Sequence, residues 1–147
     1  MNRLFYLSLF IYSMIFAQSI DPNLYKNMKF RFIGPDGNRA ISVTGVSSDH
    51  STYYIGAASG GLFRTKNNGI SWEPIFDDQN VSSVSALAIS QNNPKILWAG
   101  TGETFVIRPA HAIGDGIYKS IDGGDSWINM GLEKTARIAR IVIHPEN

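Results

Sequence analysis

The chain has 147 residues with 44% apolar content and 14 glycines, a composition that suits one globular domain and gives no sign of disorder. Thirteen basic against twelve acidic residues leave a net charge of +1, so no basic footprint exists for nucleic acid or an anionic membrane surface. Three histidines and no cysteine exclude thiolate metal sites, disulfides and a lipid-anchoring N-terminal cysteine.

The first segment reads as an export address. Asn2 and Arg3 make a short polar, positive start, residues 4–16 are an apolar run, and Ala17 offers a small residue before Gln18 and Ser19, which predicts cleavage after Ala17. The apolar run, thirteen residues long, falls short of the roughly twenty needed to span a bilayer, so no stable membrane span is expected after cleavage. Export without cysteine fits a secreted or periplasmic protein in which a packed core replaces disulfides.

Residues 18–29 are a lead-in with little periodicity, and Phe30-Arg31-Phe32 is a short strand candidate stopped by Gly34-Pro35-Asp36-Gly37. Three stretches then read as equivalent first strands: 42–46, 84–89 and 138–143. From Val46 to Ile89 is 43 residues and from Ile89 to Ile143 is 54, a difference of 11 that recurs between Gly56–Gly61 and Gly100–Gly116, so the extra length sits in one loop. The remaining predicted strands are 53–57, 62–65 and 71–75 in one unit and 96–100, 117–120 and 126–129 in the next. Val and Ile alternate with Ser or Ala in the first strand of a unit, and no stretch carries a helical stripe.

One pattern occurs twice. Gly61-Leu62-Phe63-Arg64-Thr65-Lys66-Asn67-Asn68-Gly69-Ile70-Ser71-Trp72 returns as Gly116-Ile117-Tyr118-Lys119-Ser120-Ile121-Asp122-Gly123-Gly124-Asp125-Ser126-Trp127. Each copy ends in Ser/Thr-x-Asp/Asn-x-Gly-x-Ser-Trp, which has the chemistry of a stapled hairpin. Asn67 or Asp122 accepts main-chain N–H bonds across the turn, Gly69 or Gly124 supplies positive φ, and Trp72 or Trp127 starts the return strand with a large apolar face. Thr65, Ser71, Ser120 and Ser126 complete the structural set. A period in the forties to fifties with four short strands per unit fits an all-β propeller blade.

At these residues the sequence resembles the Asp-box (bacterial neuraminidase repeat) β-propellers of the sortilin-like and glycosyl-hydrolase-like secreted bacterial type. Arg31-Phe32-Ile33-Gly34-Pro35, Gly56-Ala57-Ala58-Ser59-Gly60-Gly61-Leu62, Gly100-Thr101-Gly102-Glu103 and Ile143-His144-Pro145 extend the resemblance over residues 28–147. The organisation it implies is a signal peptide at 1–17, a lead-in at 18–29 and a partial propeller at 30–147, with units at about 38–80, 81–133 and 134–147, the last incomplete. The fold expected is therefore the amino-terminal fragment of a propeller, two blades and the first strand of a third, whose missing carboxyl-terminal blades are themselves partners.

The inserted loop is the candidate functional surface, because Glu103, Phe105, Arg108 and His111 gather there on a connection that the other unit keeps short. Glu103, Arg108 and His111 are the candidate ligand-binding residues. A capping role is the alternative, in which Glu103 pairs with Arg108 while Phe105 covers a hydrophobic edge. The resemblance matches Glu103 to the glutamate of a Gly-Thr-Gly-Glu block and Arg108 to an arginine that follows it. Glycoside hydrolysis needs two carboxyls several ångströms apart, and the catalytic candidates are Glu103 and Asp115, the latter reading first as a turn between Gly114 and Gly116. In the xyloglucan-cleaving relatives a catalytic aspartate precedes the Gly-Gly pair by two positions, a place held here by Ala58, which moves no proton.

Other polar groups favour structural roles. Asp77-Asp78 reads as a solvated turn, His50 and His144 lack a second ligand at usable spacing, and no metal or cofactor is expected. Asn80-Val81-Ser82 matches a glycosylation acceptor that matters only on a eukaryotic secretory route. Trp72 and Trp127 could stack on sugar rings or pack between strands, and Trp98 is expected in the core. The leading functional reading is a non-catalytic binding scaffold for a peptide, protein or polysaccharide. A glycoside hydrolase with part of its active site beyond Asn147 is the second reading, and a propeller resembling those that help assemble photosystem II is the third.

Overall fold

The computed structural model describes residues 20–29, 32–35, 39–104 and 112–145. The predicted signal peptide, residues 30 and 31 of the first strand candidate, and Phe105, Arg108 and His111 lie outside them. The chain divides into two units, Met1–Phe32 and Ile33–Asn147. Within the first, Pro22–Tyr25 forms one 3-10 turn, capped by the Asp21 carboxylate, which accepts the Asn23 N–H at 2.9 Å.

The second unit holds two antiparallel sheets of four strands each, joined in sequence order. The first sheet comprises β1 (Ala40–Val46), β2 (Asp49–Ala57), β3 (Leu62–Thr65) and β4 (Glu73–Pro74); the second comprises β5 (Val84–Ile89), β6 (Leu97–Thr101), β7 (Ile117–Ser120) and β8 (Ile128–Asn129). β3, β5 and β7 match the predicted bounds, whereas β4 and β8 are shorter because the residues leading into them are used by the turn.

The two sheets share one register. Tyr54 lies opposite Thr44 and Arg64 as Trp98 lies opposite Ala88 and Lys119. Ladder pairing places Gly45, not Val46, at the position of Ile89, because the β1–β2 pairing shifts between Gly45 and Val46. That irregularity accounts for the one-residue error in a spacing counted from strand ends.

The interface between the sheets is the core. Val46, Tyr54, Leu62 and Phe76 pack with Val84, Ile89, Leu97, Ala99 and Tyr118. Phe76 meets the Tyr118 and Trp127 rings edge-on at 5.1 and 5.3 Å, the geometry that the ring quadrupoles favour. The inner strands approach closely at Gly56, where an added Cβ would fall 2.3 Å from the Val84 carbonyl oxygen, and the Ser42 hydroxyl donates to that carbonyl at 2.9 Å.

The same joint recurs one step on. Ile138 lies against Gly100, its N–H donates to the Thr101 carbonyl at 3.0 Å, and the Ser85 hydroxyl donates to its carbonyl at 2.7 Å. Residues 138–143, expected as a third first strand, are not a strand here, because no antiparallel partner lies beside them among the described residues and no ladder forms. Like sheets stacked face to face through a repeated joint make a β-propeller-type arrangement. No helix among the described residues is long and apolar enough to cross a membrane.

Candidate functional site

The two repeated turns are built by the same bonds. In the first, the Thr65 hydroxyl accepts the Gly69 N–H at 2.9 Å and donates to Asn67 Oδ1 at 2.9 Å, which also accepts the Ser71 N–H at 2.9 Å. In the second, the Ser120 hydroxyl accepts the Gly124 N–H at 2.8 Å and donates to Asp122 Oδ1 at 2.7 Å, which accepts the Ser126 N–H at 2.9 Å. The closing bond reverses direction: Asn67 Nδ2 donates to Ser71 Oγ, whereas Ser126 Oγ donates to the Asp122 carboxylate. Hydrogen bonds from Ser126, then from Ser120, hold the Asp122 carboxyl well below the usual carboxylate range. Gly69 and Gly124 adopt φ of 78° and 97°, and Asn68 and Gly123 before them are also left-handed.

The second turn is tied to the first sheet through Arg64. Its guanidinium is buried, with Nε on Glu73 Oε1, Nη2 on Asp125 Oδ1 at 2.8 Å and Nη1 donating to the Gly123 carbonyl at 2.7 Å, which also accepts the Tyr54 hydroxyl at 3.1 Å. Burial alone would lower the Arg64 pKa, but the bonds from Glu73 and Asp125 outweigh it and raise it. Glu73 is lowered in turn by the Arg64 bond. Tyr54, Arg64, Gly123 and Asp125 line a cleft of about 480 Å³, with Lys66, Lys95 and Asp49 on its walls. Asp49 has its pKa lowered to about 2 by hydrogen bonds from Ser51 and Thr52. The duplicated pattern disclosed Arg64 as a basic position but not its junction role.

Glu103 follows β6 and is 1% exposed. Its carboxylate is hydrogen-bonded to Arg39 Nη2, on the residue before β1, and its N–H donates to the Ala112 carbonyl at 2.8 Å. Arg39 was missed from sequence; its one signal is a cation placed directly before the first strand. Asp115 is tied down in a different way. Its Oδ2 accepts the Tyr118 hydroxyl at 2.7 Å, and its N–H donates to the Thr101 hydroxyl at 2.9 Å. Burial, then the Asp115 bond, raises the Tyr118 pKa. Ala58 is buried and offers no proton-transfer group.

Asp77 and Asp78 are exposed, as are His50 and His144, and no metal-binding group of three acidic or histidine side chains occurs among the described residues. Trp127 is part-buried and donates its indole N–H to the Ile75 carbonyl at 2.7 Å; Trp72 does the same to the Ile33 carbonyl at 2.6 Å. Trp98 is not a core residue. It occupies the place of buried Tyr54 on the face turned away from the first sheet, where Lys119 covers its ring at 5.2 Å.

No protein-family model matches the sequence, and no curated protein matches it. Solved structures do. An ancestral GH74 enzyme superposes with a TM-score of 0.51 at 21% identity over 69% of this chain, and the GH74 enzyme of Niastella koreensis with 0.54 at 17% identity over 69%. The matches cover 13% and 15% of those two chains, so this sequence spans a small part of their length. At such identities the likeness concerns the fold, and the chain has a β-propeller-type fold similar to that of these enzymes.

Proposed function

We propose that the chain belongs to an exported Asp-box-type propeller that acts as a binding scaffold for a peptide, protein or polysaccharide, with the loop after β6 as its contact surface. The observation that carries this reading is Glu103: its buried carboxylate is bound by Arg39. Asp115, the other acid of the candidate pair, is occupied by Tyr118 and held in a turn by Thr101. A carboxyl pair that hydrolyses a glycoside must instead reach the leaving oxygen and a water or anomeric carbon. Arg108 and His111 are assigned to the contact surface with Glu103 as the residue that anchors its neck. Further sheets of the same repeat on one polypeptide would cover the faces left open, and residues 1–17 would be removed on export.

The test is retention on insoluble polysaccharides and peptide arrays together with a reducing-end assay. Binding without release of reducing ends, with or without Glu103→Gln, supports the scaffold. Mass analysis of exported protein beginning at Gln18 supports the address.

A glycoside hydrolase is the second reading, favoured by the likeness to two GH74 enzymes. It requires an additional carboxylate. Release of reducing ends by the full reading-frame product, abolished by Glu103→Gln, would replace the scaffold reading with it.

A further inference from the structure

The two tryptophans of the repeated turns make the same bond to different kinds of chain. Trp127 reaches across the core interface to the carbonyl of Ile75, the residue after β4 of the neighbouring sheet. No neighbouring sheet lies on the far side of the first sheet among the described residues, yet Trp72 finds an equivalent carbonyl on Ile33, in the segment that precedes β1. The match extends to the turn glycines. A Cβ on Gly124 would fall 2.6 Å from Ile75 Cδ1, and one on Gly69 would fall 2.6 Å from the Ile33 oxygen. Each turn glycine therefore has an isoleucine against it, Gly124 the side chain of Ile75 and Gly69 the main-chain carbonyl of Ile33.

We infer that residues 33–35 are a clasp that stands in for the outer edge of a neighbouring repeat on the open face of the first sheet. The residues after each isoleucine set the extent of the substitution. After Ile75 comes Phe76, which plugs the interface and meets Trp127 edge-on; after Ile33 come Gly34 and the buried Pro35, which are smaller. The clasp fills the rim and leaves a concavity of about 350 Å³ bounded by Val43, Tyr53, Ile55 and Trp72. In register these residues correspond to Leu87, Leu97, Ala99 and Trp127, which the second sheet turns toward the first. Val43 remains 68% exposed where its counterpart Leu87 is partly buried against the core. The chain thus caps the Trp72 turn itself and leaves the rest of that face open.

Indole proton exchange in the intact ¹⁵N-labelled chain tests this without relying on a variant. The three tryptophan indole N–H signals separate by partner: Trp72 and Trp127 donate to carbonyls, and Trp98 has no hydrogen-bond acceptor among the described residues. The clasp requires the Trp72 proton to exchange at least about tenfold more slowly than that of Trp98, which corresponds to about 1.4 kcal/mol of protection. Trp72→Phe, which keeps an aromatic ring and removes the donor, should then raise deuterium uptake in the peptide containing residues 33–35 and leave the peptide containing Ile75 unchanged. Exchange at Trp72 as fast as at Trp98, or uptake that rises in both peptides or in neither, overturns the assignment.

Discussion

Replacing Gly56 with alanine tests whether the sheets are joined as closely as their shared register implies. Gly56 has an ordinary φ, so the cost is one of space alone. The new methyl would lie 2.2 Å from Ser42 Oγ, 2.3 Å from the Val84 oxygen and 3.0 Å from Val84 Cγ1. Carbon and oxygen rest at about 3.3 Å or more, so β2 and β5 must part by roughly 1 Å. Overpacking of this kind costs about 1–3 kcal/mol. Loss of the Ser42–Val84 hydrogen bond adds about 1 kcal/mol. Together these destabilise by about 3 kcal/mol, a shift of roughly 12 °C in Tm for a body of this size. Gly100→Ala is the matched control. The three atoms nearest its methyl are all in side chains, Ile138 at 2.6 and 2.8 Å and Ala86 Cβ at 3.2 Å, so about 1–2 kcal/mol is expected. Thermal and urea unfolding followed by circular dichroism read both. A Gly56→Ala cost under about 1 kcal/mol, or a Gly100→Ala cost exceeding it, would refute the close joint.

Three other sites give measurable expectations. Asp122 is depressed in the folded chain, so its contribution is full above the unfolded carboxylate pKa and fades as pH falls through the folded value. Asp122→Asn, which installs the side chain of the first turn, should flatten the acid limb of stability below about pH 4 in urea titrations at stepped pH. Arg64→Met removes three bonded donors from a buried position and leaves the Gly123 carbonyl to Tyr54 alone. A loss of about 2–4 kcal/mol is expected in urea unfolding, with little sensitivity to salt. Phe76→Ala deletes the ring that meets both Tyr118 and Trp127 and should cost about 3–5 kcal/mol in the same assay.

The repeated turn was legible because its chemistry is local: a hydroxyl, an Asx side chain, a glycine and a serine within seven residues make these bonds. β3, β5 and β7 were legible to the residue as short apolar runs, and the 11-residue insertion from the Gly56–Gly61 and Gly100–Gly116 spacings, whereas residues 138–143 form no strand. Contacts made between repeats were not. Arg39 and Glu103 are 64 positions apart, and Trp72 and Ile33 are 39 apart, so no local pattern announces either pair. Trp98 was misjudged because its aromatic class fits the register position while its side of the sheet depends on where the next repeat lies. Asp115 was read as a turn residue from its flanking glycines, but its bond to Tyr118 depends on the strand that follows.

Comparison of the two sheets at one position explains how the second can carry a long loop. Ala57 and Thr101 occupy the same place in the register, each at the end of the second strand of its sheet. In the first sheet the connection to β3 is short, and Ala57 N–H to the Gly61 carbonyl at 2.9 Å closes it. In the second the connection is longer, and the Thr101 hydroxyl, fully buried, adds three bonds at the neck. It donates to the Gly116 carbonyl at 2.7 Å and accepts the N–H groups of Asp115 and Gly116 at 2.9 and 3.1 Å. A hydroxyl appears where the loop grows, because a longer closure has more entropy to overcome at its base. Thr101→Val keeps the shape of the side chain and leaves two buried N–H groups without that acceptor, at a cost of about 1–3 kcal/mol. Thr101→Ser should restore the neck. Limited proteolysis between β6 and β7, set against the Tm of each variant, separates this from general weakening. Faster cleavage in the valine variant than its Tm explains, with serine close to the parent, is the expected result. Equal cleavage in all three would mean that the loop is held by its own residues and that Thr101 serves only to fill space.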